Sequence, residues 1–237
     1  MRSLLFTPPD ERELAAAMES GADALVIDLT AAHPAERGRA RSTAARFLEA
    51  MRGRRGGPAL IVRPNGLDSG ETDADLDAIM AHSPKAILLP RSLGAASVQE
   101  LSTKLAVREA DFSLADGATR IIAAVETAQS LFNLGAYRGA TERLIGVAWS
   151  AESLRSDIGA ETARDRDGRC FGPYALARDL TLLAATSAGV RAIDTAFPNL
   201  GDEKGLRAEA LAARRDGFAG KIAIAAAQAA IINDVFS

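Results

Sequence analysis

The feature that most constrains this chain is an alternation, repeated eight times, of a short apolar run with a longer stretch of helical periodicity. Apolar runs at residues 4–7, 24–28, 60–63, 86–90, 121–126, 143–149, 191–194 and 221–224 predict strands. Between them, apolar residues at helical spacing predict helices near residues 10–18, 37–52, 73–80, 95–108, 129–134, 175–188, 205–215 and 227–235. Strands separated by helices cannot form hairpins, so they must lie parallel in one sheet. Eight such units in 237 residues predict an α/β chain folded as a (β/α)8 TIM barrel, an architecture that takes about 250 residues. The competing doubly wound sheet seldom needs eight units, and the glycine pattern GxGxxG of a dinucleotide site is absent after the first strand. No linker or low-complexity tract interrupts the series, so residues 1–237 read as a single barrel domain.

Charge narrows the function classes. The net charge of −3 does not supply the strong positive field of a nucleic-acid binder. A local basic patch at Arg52, Arg54 and Arg55 is flanked by glycine without interleaved aromatics and reads as a solvated loop. The one cysteine, Cys170, excludes an internal disulfide and any Cys/His zinc constellation, which fits a reducing, cytoplasmic compartment. No run approaches the roughly 18 to 20 apolar residues of a membrane span, and the apolar start is too short for a secretory signal.

In a barrel of this kind, the chemistry gathers where the strands end, because the loops leaving their carboxyl ends build one face. Those positions hold Thr7, Asp28, Arg63, Arg91, Glu126, residues 150–153, Asp194 and the segment after Ile224. Arg63, in Val62-Arg63-Pro64-Asn65-Gly66, offers a planar fork that either grips a carboxylate or phosphate or pairs with a loop acid. Glu126 ends the apolar run 121–125, where a carboxylate either serves as an oxygen ligand for Mg²⁺ or forms a salt bridge; a cation is expected beside it. His33, in a strand-to-helix loop, is either a general base or a surface histidine, and His82 is the blander of the two. Cys170 reads as a passive thiol. The polar stretch 155–172, with Arg164-Asp165-Arg166-Asp167, reads as a lid, a subunit contact or a solvated loop. Asp194 is expected to cap the loop after the seventh strand, and Trp149 to fill the barrel mouth or pack on a ligand.

Several strings occur in an order that resembles the citrate lyase β-subunit-like (CitE-like) branch of the HpcH/HpaI aldolase/citrate lyase family. They are Arg2-Ser3-Leu4-Leu5-Phe6-Thr7-Pro8, Gly21-Ala22-Asp23-Ala24-Leu25-Val26-Ile27-Asp28-Leu29, Val62-Arg63-Pro64-Asn65, Leu88-Leu89-Pro90-Arg91 and Val125-Glu126-Thr127-Ala128. Ala151-Glu152, Asp157-Ile158-Gly159, Ile193-Asp194-Thr195 and Gly217-Phe218-Ala219-Gly220-Lys221 continue the series over almost the whole chain. The resemblance implies a barrel, usually trimeric, that makes or breaks carbon–carbon bonds in small keto or hydroxy acids or acyl-CoA thioesters, with Mg²⁺ stabilising an enolate. It further implies that Arg63 binds the substrate carboxylate, that Glu126 ligates Mg²⁺ beside the substrate, and that Arg2 and Arg91, the latter commonly Lys in the family, serve the CoA or carboxylate end.

The departures fall on the same face. Where the family reads Gly-Ala-Glu-Asp, this chain reads Ser150-Ala151-Glu152-Ser153, so Ser153 replaces a metal carboxylate and Glu152 is the nearest substitute. Asp28-Leu29-Thr30-Ala31 stands for Asp-Leu-Glu-Asp, and Ile224-Ala225-Ala226 for Ile-His-Pro, while relatives commonly continue past the position of Ser237. The expectation is therefore a carbon–carbon lyase with a degenerate Mg²⁺ site, weak or lost, or else an impaired homologue that binds a metabolite or a partner subunit.

Overall fold

Eight parallel strands close into a barrel in sequence order: β1 (Ser3–Thr7), β2 (Ala24–Asp28), β3 (Ala59–Arg63), β4 (Ala86–Leu89), β5 (Arg120–Val125), β6 (Leu144–Trp149), β7 (Arg191–Asp194) and β8 (Gly220–Ala223). The computed structural model describes residues 1–54, 56–166 and 168–237; Arg55 of the basic patch and Asp167 of the polar stretch lie outside the described residues. The seam is made where Ser3, Leu4 and Leu5 pair with Lys221, Ile222 and Ala223. Gly220 opens β8 there because a Cβ would meet the carbonyl oxygen of Arg2 at 2.5 Å and that of Met1 at 2.9 Å.

Each strand is followed by helix: α1 (Glu11–Met18), α2 (Arg37–Met51), α3 (Thr72–Ile79), α4 (Ala95–Asp111), α5 (Ala128–Phe132), α6 (Ala151–Ile158), α7 (Pro173–Ala188), α8 (Glu203–Asp216) and α9 (Ala226–Val235). One helix lies where the sequence reads as polar loop. α6 forms because the Ser150 hydroxyl accepts from the Ser153 N–H at 3.1 Å, Ala151 and Leu154 are buried, and Gly159, with φ +76°, ends it in the left-handed region. Its polarity belongs to its exposed side, which masks the apolar positions in so short a helix.

Strand alternation sorts the core into two layers. Leu4, Val26, Ile61, Leu88, Ile122 and Ile193 point inward and fill the barrel. Residues of the opposite parity, such as Ile27, Val62, Ile121 and Val147, pack outward against helices. Asp28 and Arg63 stand two residues beyond inward Val26 and Ile61, and Glu126, just past β5, stands two beyond inward Ala124, so the register that fills the barrel also aims these three into its mouth.

Trp149 belongs to the outward set, which corrects its expected place at the mouth. It is 1% exposed, and its Nε1 donates to Asp194 Oδ1 at 2.8 Å. Asp194 likewise does more than cap a loop: it is the acceptor of a buried network between barrel and helices. Fully buried Lys221 donates to Asp194 at 3.1 Å, to the Thr195 carbonyl at 2.7 Å and to Glu209 on α8 at 2.6 Å. Arg178 on α7 approaches Asp194 at 3.4 Å and stacks over Phe218. The polar stretch read as a lid, a subunit contact or a solvated loop is tied at Arg164 into the same network: Arg164 bonds Glu209 and the Ala196 carbonyl, and pairs as an isolated β-bridge with Cys170.

Burial opposes ionisation of Asp194, but the charges of Lys221 and Arg178 and the Trp149 N–H outweigh it and hold the carboxyl below its ordinary range. A carboxyl depressed in the folded state adds stability that is complete above its unfolded pKa of about 4 and is lost as pH falls through the folded value. Lys221→Met, which leaves Asp194 short of its nearest charge, is expected to cost about 3–5 kcal/mol in urea unfolding followed by Trp149 fluorescence. Removing the carboxylate as well, in Lys221→Met/Asp194→Asn, should recover part of that loss, and a cost below about 1 kcal/mol for the single variant would show the pair to be dispensable.

Candidate active site at the barrel mouth

The site is organised by one guanidinium between two carboxylates. Arg63 Nη1 donates to Asp28 Oδ1 and Oδ2 at 3.2 and 3.0 Å and to Thr30 Oγ1 at 2.6 Å, while Nη2 donates to Glu126 Oε1 at 2.8 Å. The other oxygen of Glu126 accepts from the backbone N–H of Arg91 at 2.8 Å. Thr30 also donates its hydroxyl to Asp28 Oδ1 at 2.7 Å, and Asp28 receives the Thr30 N–H at 3.0 Å, so a short turn after β2 locks the acid in place. Phe6 on β1 lies 5.8 Å from Arg63 Cζ, under the cation.

These groups are largely enclosed, with side-chain exposures of 15% for Arg63, 14% for Asp28 and 6% for Glu126. Burial works against the Arg63 cation, but the facing charges and hydrogen bonds of Glu126 and Asp28 outweigh it, and the guanidinium pKa is raised. Arg63 therefore stays charged at every pH at which the protein is folded. Its fork is not exhausted: Nη2 uses one of its two N–H groups on Glu126, and Nε has no partner among the described residues. The mouth thus holds a guanidinium with unused N–H capacity, its Nε buried, backed by an aromatic ring, the chemistry that receives a carboxylate or a developing enolate oxygen.

The loop after β3 is held by its own buried acid. Asp75 on α3 accepts from the N–H and the side-chain amide of Asn65 at 2.7 and 2.8 Å, and Arg41 on α2 pairs with Asp75 and Glu71. Arg91 takes a left-handed backbone, φ +49°, which presents its N–H to Glu126 while its side chain stands half exposed, 3.8 Å from Asp68. Leu67, Asp68, Arg91, Leu93 and Thr127 line a cleft of about 310 Å³ that adjoins this position.

Other residues singled out in the sequence are distributed differently. Arg2 is removed from the mouth: it precedes β1, and its fork closes on Asp23 before β2, with contacts of 3.0 and 2.8 Å, at the amino ends of the strands. Ser153 lies in the first turn of α6 beyond the β6 end, half-buried. Glu152 is exposed and paired with Arg155 at 2.9 Å on the outer side of that helix, because the next residue of a helix points about 100° away. His33 Nδ1 caps a one-turn 3-10 segment by accepting from the Ala35 N–H, and His82 sits before β4 at the opposite end of the barrel. Burial pushes the Cys170 thiol up, with Arg164 only partly opposing it, which suits a passive thiol. Asp28 and Thr30 are the partners that sequence reasoning did not assign to Arg63. The inward parity shared by positions 28, 63 and 126 was the available signal.

A Mg²⁺ ion asks for an octahedral set of oxygens supplied in part by carboxylates. Both oxygens of Glu126 are already engaged, both of Asp28 face Arg63, and Ser153 brings a neutral hydroxyl. Among the described residues no group of three or more His, Cys, Asp or Glu side chains is placed to hold a metal. The residues present do not complete a Mg²⁺ coordination set; the two acids and Arg63 leave one net negative charge at the mouth.

With this geometry in hand, the profile of the HpcH/HpaI aldolase/citrate lyase family matches residues 2–226. The chain belongs to this family, in its CitE-like branch. It is 33% identical over 238 residues to the citrate lyase subunit beta of Leuconostoc mesenteroides subsp. cremoris, covering 100% of this chain and 76% of that protein. It is 34% identical over 239 residues to a (3S)-malyl-CoA thioesterase of Cereibacter sphaeroides, covering 100% and 77%. Among solved structures, CitE from Mycobacterium tuberculosis in complex with magnesium and acetoacetate superposes with a TM-score of 0.83 at 26% identity, covering 99% of this chain and 90% of that one. RipC from Yersinia pestis gives 0.79 at 30% identity, covering 100% and 95%. Family members thus bind magnesium in a fold this chain shares, while its own metal site is degenerate. Restoring an acid is the direct test: Ser153→Asp should tighten Mg²⁺ binding by at least about tenfold in titration calorimetry, and an unchanged affinity would show that position 153 does not face the metal.

Proposed function

We propose that this chain is a carbon–carbon lyase that cleaves a small keto or hydroxy acid, or its CoA thioester, at the carboxyl-end mouth of the barrel, with weakened Mg²⁺ dependence. The observation that carries the reading is Arg63, held by Asp28, Thr30 and Glu126 with donor capacity to spare, in a family whose relatives act on or bind such acids. Breaking a carbon–carbon bond beside a carbonyl leaves its electron pair as an enolate, whose charge settles on oxygen. A fixed cation in a largely enclosed mouth stabilises that charge without reorganising, and the two acids that hold Arg63 set its position before substrate arrives. Glu126 is the positioning carboxylate, and the half-exposed Arg91 side chain beside its cleft supports a role at the CoA or carboxylate end.

The second reading, an impaired homologue that binds a metabolite or a partner subunit, is favoured by the neutral residues at Thr30, Ala31 and Ser153. Both readings share ligand binding and separate on turnover. Residues 1–237 as one barrel domain, a cytoplasmic location and a homotrimer or multiple of trimers belong to the same proposal. Self-association is supported by apolar side chains left exposed on the side of α5 to α7, among them Phe132, Ile158, Leu176 and Leu183. Among the described residues no helix is long and apolar enough to cross a membrane.

Calorimetric titration with oxaloacetate should show saturable binding to the wild type, at least about tenfold weaker binding to Arg63→Ala, and unaltered binding to Arg2→Ala. Equal affinity in Arg63→Ala would sink the assignment of the mouth as the ligand site. Pyruvate-type product release by the wild type, absent in Arg63→Ala, would select the lyase over the binding homologue.

A further inference from the structure

We infer that the opposite, amino end of the barrel carries a second ligand site, for a free organic anion with an apolar body, of the kind represented by a medium-chain carboxylate. A cavity of about 450 Å³ lies there between the end of α2, the loop behind it and the segments that lead into β3 and β4. Part of its wall is apolar, from Met18, Leu48, Met51, Leu60 and Leu114, and His82 and Ser83 add polar groups. Three permanent cations also line it, Arg52, Arg54 and Lys85, and no Asp or Glu is among its described lining residues.

These three cations are exposed at the cavity's rim, whereas the enclosed arginines of the chain are paired. Arg41, Arg63, Arg143 and Arg164 each face at least one carboxylate. Among the described residues Arg54 reaches only Met51 Sδ, at 3.7 Å, and the Arg52 and Lys85 side chains have no hydrogen-bond or ion-pair partner. Arg52 and Arg54 thus form one rim of the cavity, and Lys85, distant in sequence, completes it.

The two halves of the lining restrict the occupant. Exposed ion pairs are each worth under about 1 kcal/mol and are screened by salt, so an inorganic anion alone gains little. An apolar molecule gains about 25 cal/mol per Å² buried but leaves the cations unanswered. A molecule with one anionic head and an apolar body satisfies both, and a recess bounded by α1, α2 and two strand entrances suits a single free molecule better than a flat surface. The site stands apart from Glu126 and Arg63, which occupy the other end of the same strands.

Octanoate is the probe. Calorimetry should show saturable binding to the wild type, weakened about tenfold in Arg52→Gln/Lys85→Gln, with no saturable binding of inorganic phosphate or 1-octanol. Both substituted residues are exposed, so the variant is expected to fold as the wild type does, and its oxaloacetate binding should be unchanged. The proposal falls if octanoate does not bind saturably, if the double variant binds it equally, or if 1-octanol matches it. Equal competition by phosphatidylglycerol vesicles would assign the cations to a membrane surface and overturn the free-ligand reading.

Discussion

Everything at the mouth depends on closure of the sheet. A parallel barrel has no free edge only if its last strand returns to its first, and here the return is made by two very short strands, β8 of four residues against β1 of five. Three paired positions carry the seam, and Gly220 gives the backbone room at its start. Lys221, next in line, fastens the outside of the same strand to α8 and to β7. Closure fixes strand register, register fixes parity, and parity decides that Asp28, Arg63 and Glu126 share one interior. A slip by one residue in β3 would turn Arg63 out among the helices and leave two carboxylates facing each other.

Much of this was legible in the sequence because it rests on period. The strands at residues 24–28 and 191–194 emerge with the ends expected of them, and the others shift by a residue or so at either end. Glu126 and Arg63 were legible as strand-end residues, but their mutual pairing was not, since the alternatives of ligand and ion pair differ only in three dimensions. Asp28 was visible as a strand end and Thr30 only as a missing acid; neither announces a bond to Arg63 from residue type. α6 was missed because Ser150, Ser153 and Glu152 look like loop, and only the capping bond shows that they start a helix. Arg2 was misplaced because its string resembles the family's while its position before β1 sends it to the other end.

The mouth also illustrates how loss of acids redistributes charge. With Thr30 and Ser153 neutral, a single arginine faces two carboxylates, and the cluster holds itself together through direct hydrogen bonds. Such a set is stable as it stands, since each charge has an opposite neighbour and most donors are answered. Its cost is affinity for a divalent cation, which would have to displace bonds to Arg63 rather than enter a vacant cage.

Arg91 shows a separation of duties within one residue. Its backbone, in the left-handed region, supplies the bond to Glu126, while its side chain leans outward beside the cleft. The amide contact is indifferent to what the side chain is, provided the turn survives. The side chain at position 91 can therefore change, to another cation or away from one, without disturbing the carboxylate beneath. In evolutionary terms it is a place where side-chain chemistry is free to vary while the hydrogen bond to Glu126 is held constant.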